Sequence, residues 1–135
     1  MYDAIVAGGS ISGLLAAREI AKNGHSVLVL EEGFEVGSPE HCGGLVSENA
    51  LKELGIEPSP KTFDSKVECA KIFSPEGKEI TINSKRQKII VINRRELDKQ
   101  AARQARDNGA EISVKTSFQE KNDNTIRTSN GNVEC

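Results

Sequence analysis

Apolar and polar positions alternate in blocks at the start of the chain. Residues 2–7 form an apolar run, residues 11–23 place apolar side chains at helical spacing, and residues 27–30 form a second apolar run. The helical stretch ends at Asn23-Gly24, a common signal for the left-handed residue that closes a helix. The pattern therefore predicts a strand, a helix and a second strand, which together make a βαβ unit.

The second half of the chain repeats this arrangement. Residues 94–108 are rich in Ala, Arg, Gln, Glu and Leu, which favour a helix that stops before Gly109. Residues 110–114 alternate in character and predict a following strand. Residues 125–128 and 133–135 are separated by a Ser-Asn-Gly-Asn turn, so they predict a β-hairpin.

The middle of the chain has the pattern of antiparallel strands. Residues 67–73 and 79–82 flank a Ser-Pro-Glu-Gly turn, in which proline presets one dihedral angle and glycine tolerates a positive one. This predicts a hairpin, and Cys69 alternates with its neighbours as a core residue would. Residues 88–92 predict a further short strand, and residues 47–54 predict a helix.

A glycine-rich turn lies between the first strand and the first helix. Its residues are Gly8, Gly9, Ser10, Ile11, Ser12 and Gly13. A pyrophosphate binds backbone N–H groups at a helix N-terminus, and this turn supplies them. The first glycine allows the tight turn and the last lets the helix pack closely on the sheet. Ser10 departs from the usual G-x-G-x-x-G, and its hydroxyl can instead donate to a phosphate oxygen.

Two carboxylates, Glu31 and Glu32, follow the second strand. Glu31 lies about 20 positions after the start of the turn, where the ribose-binding carboxylate of a dinucleotide site belongs. The alternative is an exposed carboxylate at a strand end, with Glu32 beside it. The order of strand, turn, helix, strand and carboxylate favours dinucleotide binding.

Segments that predict a parallel βαβ arrangement are interleaved with segments that predict antiparallel hairpins. A plain doubly wound domain would instead continue with alternating strands and helices. We therefore predict an α/β fold, a Rossmann-like FAD/NAD(P)-binding domain with an inserted antiparallel hairpin region. Residues 2–32 and about 94–135 form the nucleotide-binding part, and about 60–92 form the inserted sheet. Because residues 133–135 have the pattern of a strand, we expect an incomplete domain over residues 1–135.

Composition narrows the class of protein. The chain has 135 residues, 36% hydrophobic and 28% charged, with a formal net charge of −2, which is normal for a globular domain. The charge and a pI near 5.8 give no reason to expect nucleic acid as a partner. Residues 85–88 are a short basic cluster that we expect in a solvated loop. No apolar run approaches the roughly 20 residues that cross a bilayer.

Three cysteines, Cys42, Cys69 and Cys135, are too few and too widely spaced for a disulfide framework or a zinc site. We therefore expect no bound metal and a cytoplasmic location. His41 stands alone beside Cys42, and we expect it at the surface rather than in acid–base chemistry.

Three segments together resemble the flavoprotein class of archaeal geranylgeranyl reductases and, more distantly, ring hydroxylases of the p-hydroxybenzoate type. Residues 3–13 carry the Gly-Gly-Ser variant of the fingerprint. In residues 35–47, Gly-Ser-Pro is followed by Cys-Gly-Gly. In residues 91–98, an arginine precedes a Leu-Asp pair by three positions. The resemblance spans essentially the whole chain, but only the N-terminal part of a family member, which is about three times longer.

The resemblance implies an FAD-dependent reductase that hydrogenates isoprenoid C=C bonds of archaeal-type lipids, with NAD(P)H or another reductant as electron donor. It implies a prenyl or isoprenoid-lipid substrate and peripheral membrane association. Cys42 and Gly43 then lie in a loop folded over the flavin, and Arg94 approaches the cofactor, with Arg95 as the alternative. Cys42 is the candidate proton donor; otherwise it packs near the flavin or behaves as a small buried hydrophobe.

Other functions stay open at this point. The Gly-Gly-Ser fingerprint also fits an FAD-dependent aromatic-type monooxygenase, in which Cys42 is not required. A noncatalytic nucleotide-binding module is a third alternative, because the later Asp-Gly and Gly-Asp motifs of such flavoproteins are missing. For that reason we expect a fragment whose longer parent is the FAD-dependent oxidoreductase, and which alone is inactive.

Overall fold

The computed structural model describes residues 1–40, 42–83 and 88–135. His41 and residues 85–87 of the basic cluster lie outside the described residues. The chain divides into two compact units, one made of Met1–Glu40 with Arg95–Cys135 and the other of His41–Arg94. Among the described residues, no helix has both the length and the apolar character needed to cross a membrane.

The first unit contains the predicted βαβ start. Its elements are β1 (Ala4–Ala7), α1 (Ile11–Lys22), β2 (Val27–Leu30), α3 (Arg94–Asp107, whose first residue belongs to the second unit), β8 (Glu111–Ser113), β9 (Phe118–Asn122), β10 (Thr125–Thr128) and β11 (Gly131–Glu134). The second unit contains β3 (Leu45–Ser47), α2 (Glu48–Glu53), β4 (Phe63–Val67), β5 (Cys69–Phe73), β6 (Glu79–Asn83) and β7 (Ile89–Ile92).

A parallel sheet in the order β1-β2-β8 organises the first unit. Ala4 is opposite Val27, and Leu28 is opposite Glu111. The central strand β2 is buried along its whole length, as expected for a parallel strand that is covered on both faces. The predicted α/β fold with a Rossmann-like beginning is therefore confirmed.

The two faces of β2 pack against different layers because side chains alternate along a strand. One face meets α1 and α3, and the alanines of these helices allow close packing; this cluster comprises Leu14, Ala17, Ala21, Val27, Val29, Val36, Ala101, Ala102, Ala105 and Ala110. The other face, with Leu28 and Leu30, packs against Ile126 of β10. The first unit is thus built of helices, a parallel sheet and an antiparallel sheet.

The antiparallel sheet of the first unit has the order β11-β10-β9. The predicted hairpin of residues 125–135 is present, with Thr128 opposite Gly131. Strand β9 was not predicted, because all five of its side chains are exposed and four of them are polar, so it has no hydrophobic alternation. Asp123 adopts a positive φ of 49° in the turn that joins β9 to β10.

The second unit has an antiparallel sheet in the order β3-β7-β4. The predicted strand at residues 88–92 is its central strand β7, in which Ile90 and Ile92 are buried. The predicted helix at residues 47–54 is α2. Ser47 caps this helix, since its hydroxyl accepts a hydrogen bond from the Ala50 N–H at 3.4 Å.

The predicted hairpin of residues 67–73 and 79–82 is confirmed as β5 and β6, except that its first strand begins at Cys69 and Val67 ends a different strand, β4. The chain leaves the strand at Glu68, so that β4 pairs with β7 whereas β5 pairs with β6 in a separate two-stranded sheet. Every side chain of β5 and β6 is exposed. Cys69 is therefore at the surface and not in a core, because its alternation with its neighbours reflects hairpin pairing without burial.

Replacing a fully buried helix residue tests the core between α1 and the sheet. Leu14 is 0% exposed. We expect Leu14→Ala to lower the free energy of unfolding by about 2–5 kcal/mol, since it removes buried surface and leaves a cavity. Leu15→Ala is the matched control, because Leu15 is only partly buried in the same helix. Equal losses in urea denaturation would contradict this description of the core.

Candidate functional site

The glycine-rich turn connects β1 to α1 through a backbone shape that excludes most side chains. Gly8 has a φ of 106°, which lies in the region that favours glycine. Its N–H donates to the Leu30 carbonyl at 2.8 Å and ties the turn to the end of β2. A β-carbon on Gly13 would lie 2.1 Å from the Gly8 carbonyl oxygen and 3.1 Å from Val6 Cγ1. Glycine at position 13 therefore lets α1 begin directly against β1.

Ser10, the departure from the usual fingerprint, is the N-cap residue of α1. Its φ of −85° and ψ of 175° are extended values that any residue adopts, so serine causes no strain there. The side chain makes no capping hydrogen bond and is exposed. Its hydroxyl is thus available to a ligand at the start of the helix, where Ser12 is also exposed.

Glu31 holds the turn and the loop after β2 together. Its Oε2 accepts a hydrogen bond from the Gly9 N–H at 2.8 Å, and its Oε1 accepts one from the Gly33 N–H at 2.7 Å. A β-carbon on Gly9 would lie 2.9 Å from Oε2, so glycine lets the carboxylate approach the backbone. A carboxylate offers about four lone-pair sites, and these two bonds leave acceptor capacity for a ligand hydroxyl.

A cavity of about 220 Å³ opens beside this carboxylate at the carboxyl ends of the parallel strands. Ligands of open α/β sheets bind at this edge. Three segments line the cavity: Ala7 and Gly8 at the end of β1, Leu30, Glu31 and Glu32 at the end of β2, and Thr116, Ser117 and Phe118 between β8 and the start of β9. The sequence analysis missed the third segment, although a strand predicted at residues 110–114 in a parallel sheet would have pointed to it.

Hydrogen bonds fix the segment after β8. The Asn130 side-chain amide donates to Thr116 Oγ1 at 2.8 Å and to the Lys115 carbonyl at 3.1 Å. The Ser117 N–H donates to Ser129 Oγ at 3.0 Å, and the Thr116 N–H donates to the Glu31 carbonyl at 2.8 Å. The turn of the β10–β11 hairpin therefore holds one wall of the cavity against the carboxylate loop.

The remaining predicted site residues belong to the second unit. Cys42 and Gly43 are exposed, and Cys42 is a free thiol. Gly44, which the sequence analysis did not single out as a ligand, is constrained instead, because a β-carbon there would lie 2.1 Å from the Ile92 carbonyl oxygen. Arg94 is half-buried at the first residue of α3, and the alternative residue Arg95 forms an ion pair with Glu35.

The structure thus brings together the turn, Glu31 and Glu32 at one cavity of the first unit. Comparison with known proteins agrees with this arrangement: residues 6–73 match the model of the NAD(P)-binding Rossmann-like domain. The chain belongs to this Rossmann-like family.

Two reductases are similar to this Rossmann-like chain. Digeranylgeranylglycerophospholipid reductase of Methanocella arvoryzae is 37% identical over 118 residues, which cover 85% of this chain and 30% of that protein. A geranylgeranyl bacteriochlorophyll reductase-like structure from Thermoplasma acidophilum is 32% identical, with a TM-score of 0.86 over 98% of this chain and 36% of that one. The predicted resemblance to geranylgeranyl reductases is confirmed, and the chain spans about a third of their length.

The myxobacterial chondrochloren halogenase, whose structure is described as a variant of FAD-dependent halogenases, is a more distant neighbour. It is 17% identical, with a TM-score of 0.77 over 98% of this chain and 34% of that chain. At this identity the likeness shows the fold alone. It therefore does not favour the monooxygenase alternative over the reductase.

The close approach at Gly13 predicts that an added methyl group destabilises the protein there but not at a glycine with open space around it. We expect Gly13→Ala to lower the free energy of unfolding by about 1–3 kcal/mol, since α1 must move away from the Gly8 carbonyl. Gly43→Ala is the matched control, because no atom lies within 4 Å of its added β-carbon. Urea denaturation that shows similar stability for both variants would contradict the geometry of the turn.

Proposed function

We propose that the first unit binds the ADP portion of FAD. The pyrophosphate lies at the N-terminus of α1, where Ser10, Ile11, Ser12 and Gly13 supply backbone N–H groups and two hydroxyls, while the Gly9 N–H stays bonded to Glu31. The positive end of the helix dipole favours the negative phosphates. The observation that carries the proposal is the Glu31 carboxylate, which two backbone N–H groups hold beside the turn and at the cavity.

The cavity beside Glu31 suits the adenosine. Its carboxylate oxygens accept hydrogen bonds from ribose hydroxyls, which the remaining lone pairs allow. Leu30 and Phe118 offer apolar surface for the base, and Phe118 is 46% exposed. Glu32 lies at the rim, where it is exposed to solvent. Glycine at position 9 makes room for the Glu31 carboxylate, and glycine at position 13 lets α1 begin directly against β1. Ser10 and Ser12 are exposed at the start of that helix, so these residues fit the group.

We propose that the protein to which these residues belong is a flavin-dependent reductase of isoprenoid C=C bonds in archaeal-type lipids. Support comes from the two reductases that match nearly the whole chain over about a third of their length. Bound FAD supplies hydride chemistry in such an enzyme, and NAD(P)H or another reductant supplies the electrons. The free cysteines support the proposed cytoplasmic location, and a lipid substrate would account for peripheral association with the membrane. The chain alone is proposed to bind nucleotide without turnover.

Glu31→Gln tests the assignment of the ribose ligand. Glutamine keeps the size of the side chain but loses the charge, so hydrogen bonds to the ribose weaken. We expect the affinity for FAD, measured by calorimetric titration, to fall about tenfold to one hundredfold. Glu134→Gln, at an exposed residue of the same unit, is the control and should bind FAD normally.

Stability separates loss of a ligand contact from loss of fold in that experiment. The side-chain amide of the Glu31→Gln variant has one acceptor oxygen, whereas Glu31 accepts hydrogen bonds from two backbone N–H groups. The variant can therefore lose stability as well as affinity, so its unfolding midpoint is measured alongside its affinity for FAD. Unchanged FAD affinity in Glu31→Gln, or absence of FAD binding by the unsubstituted chain, would refute the proposed site.

A nucleotide-binding module without a flavin is the second candidate. The match to a family described as NAD(P)-binding favours it, since FAD and NAD share the ADP portion that this cavity suits. Titrating the chain with FAD, NAD and ADP distinguishes the two. Selective binding of FAD supports a flavoprotein, whereas equal binding of all three supports a generic module.

Cys42, Gly43 and Arg94 are proposed to contact the flavin on the strength of the sequence resemblance, with Cys42 as a candidate proton donor. If so, FAD should slow the alkylation of Cys42 by iodoacetamide. Cys69, which is also an exposed free thiol, serves as the internal control. Peptide mass spectrometry with and without FAD measures both residues. Equal alkylation of Cys42 in the two samples would remove it from the site.

A further inference from the structure

Helix α3 carries four cations along one side. Arg95, Lys99, Arg103 and Arg106 are spaced by four, four and three residues, which places them on neighbouring turns of one helix face. At 1.5 Å per residue this row extends over about 17 Å. Arg103 and Arg106 are exposed, and Lys99 is partly exposed. The row is therefore a continuous basic strip at the surface of the first unit.

The loop after β2 adds an aromatic ring to this strip. Phe34 is 80% exposed, and the Lys115 ammonium lies 5.0 Å from the centre of its ring. A groove of about 320 Å³ runs between this loop and α3, with Val36, Ala102 and Val114 among its apolar lining. We call the surface formed by Arg95, Lys99, Arg103, Arg106, Lys115 and Phe34 the basic face.

The one carboxylate among the described residues that line this groove is Glu35, and it is already engaged. Its Oε2 lies 3.0 Å from Lys99 Nζ, and its Oε1 pairs with Arg95. The Lys99 hydrogen bond, with the nearby charge of Arg95, holds the pKa of Glu35 below its usual value, so it stays ionised at neutral pH. Arg103, Arg106 and Lys115 consequently leave an excess of positive charge.

We propose that the basic face docks the chain on an anionic phospholipid bilayer, with Phe34 entering the headgroup region. The row extends over about 17 Å, and although Glu35 offsets part of the charge at its Arg95–Lys99 end, it can face more than one lipid phosphate, whereas one small phosphate reaches only its nearest cations. An exposed aromatic ring among cations is typical of residues at a membrane interface. The formal charge of the whole chain is −2, so attraction to an anionic surface requires such a local face.

This proposal is independent of the nucleotide site, because the basic face shares no residue with the turn or with the cavity beside Glu31. Binding to lipid and binding to FAD can therefore fail separately. It also names the part of the molecule through which peripheral membrane association would occur.

Cosedimentation of the 135-residue chain with vesicles tests the proposal. The vesicles are phosphatidylcholine alone or phosphatidylcholine with about 30% phosphatidylglycerol, at about 0.05 M and about 0.5 M NaCl. We expect binding only to the anionic vesicles at low salt. The double variant R103Q/R106Q should lower the partition coefficient about thirtyfold, since each of the two cations near the surface contributes roughly a fivefold factor.

Matched variants distinguish an effect of the basic face from an effect of the net charge of the chain. K22Q/K121Q removes two exposed cations of the same unit outside the basic face and should change partitioning less than about twofold. Phe34→Ser keeps the charge and should lower partitioning about tenfold. Far-UV circular dichroism and FAD titration of each variant confirm that fold and nucleotide site are intact.

Several results would overturn the proposal. They are equal binding to neutral and anionic vesicles, no binding to either, or an equal loss in K22Q/K121Q. Release of the chain from anionic vesicles by millimolar pyrophosphate at constant ionic strength would assign the groove to a free phosphate instead.

Discussion

The contact between one carboxylate and two backbone N–H groups determines the arrangement of the candidate site. Glu31 bonds Gly9 in the turn after β1 and Gly33 in the loop after β2, so the two strand ends cannot separate without breaking it. Its backbone also pairs with Ser113 and Thr116 at the third strand. One residue therefore fixes all three segments that line the cavity, while its side chain keeps the acceptors that a ribose requires.

Local sequence signals predicted most of this framework. The apolar runs before and after α1 predicted parallel strands because only a doubly covered strand such as β2 is apolar at every position. Gly8, Gly13 and Glu31 were selected from their spacing, and each has a local reason in the structure. Gly8 has a positive φ, a β-carbon on Gly13 would meet the Gly8 carbonyl, and Glu31 bonds the turn. The helix at α3 was clear from composition, and Gly109 marked its end through a positive φ.

What the sequence did not reveal depends on contacts between distant segments. The requirement for glycine at Gly44 comes from the carbonyl of Ile92, which pairing of β3 with β7 brings close. The residues Thr116, Ser117 and Phe118 join the cavity only because β8 lies next to β2. Strand β9 has no apolar face to detect. The chain breaks at Glu68 because β4 pairs with β7 whereas β5 pairs with β6. Periodicity within one segment carries none of this information.

Charge is distributed differently at the two surfaces of the first unit that are proposed to bind anions. None of the described residues that line the cavity beside Glu31 is a lysine or arginine, so a diphosphate bound beside it would rely on backbone N–H groups and the dipole of α1. Hydrogen bonds from backbone N–H groups are short and directional, so they select the geometry of the bound anion. The basic face instead presents cationic side chains near Phe34, and such charges attract negative charge over a Debye length without selecting its geometry. A net charge of −2 conceals this division, because acidic groups elsewhere offset the cations of α3.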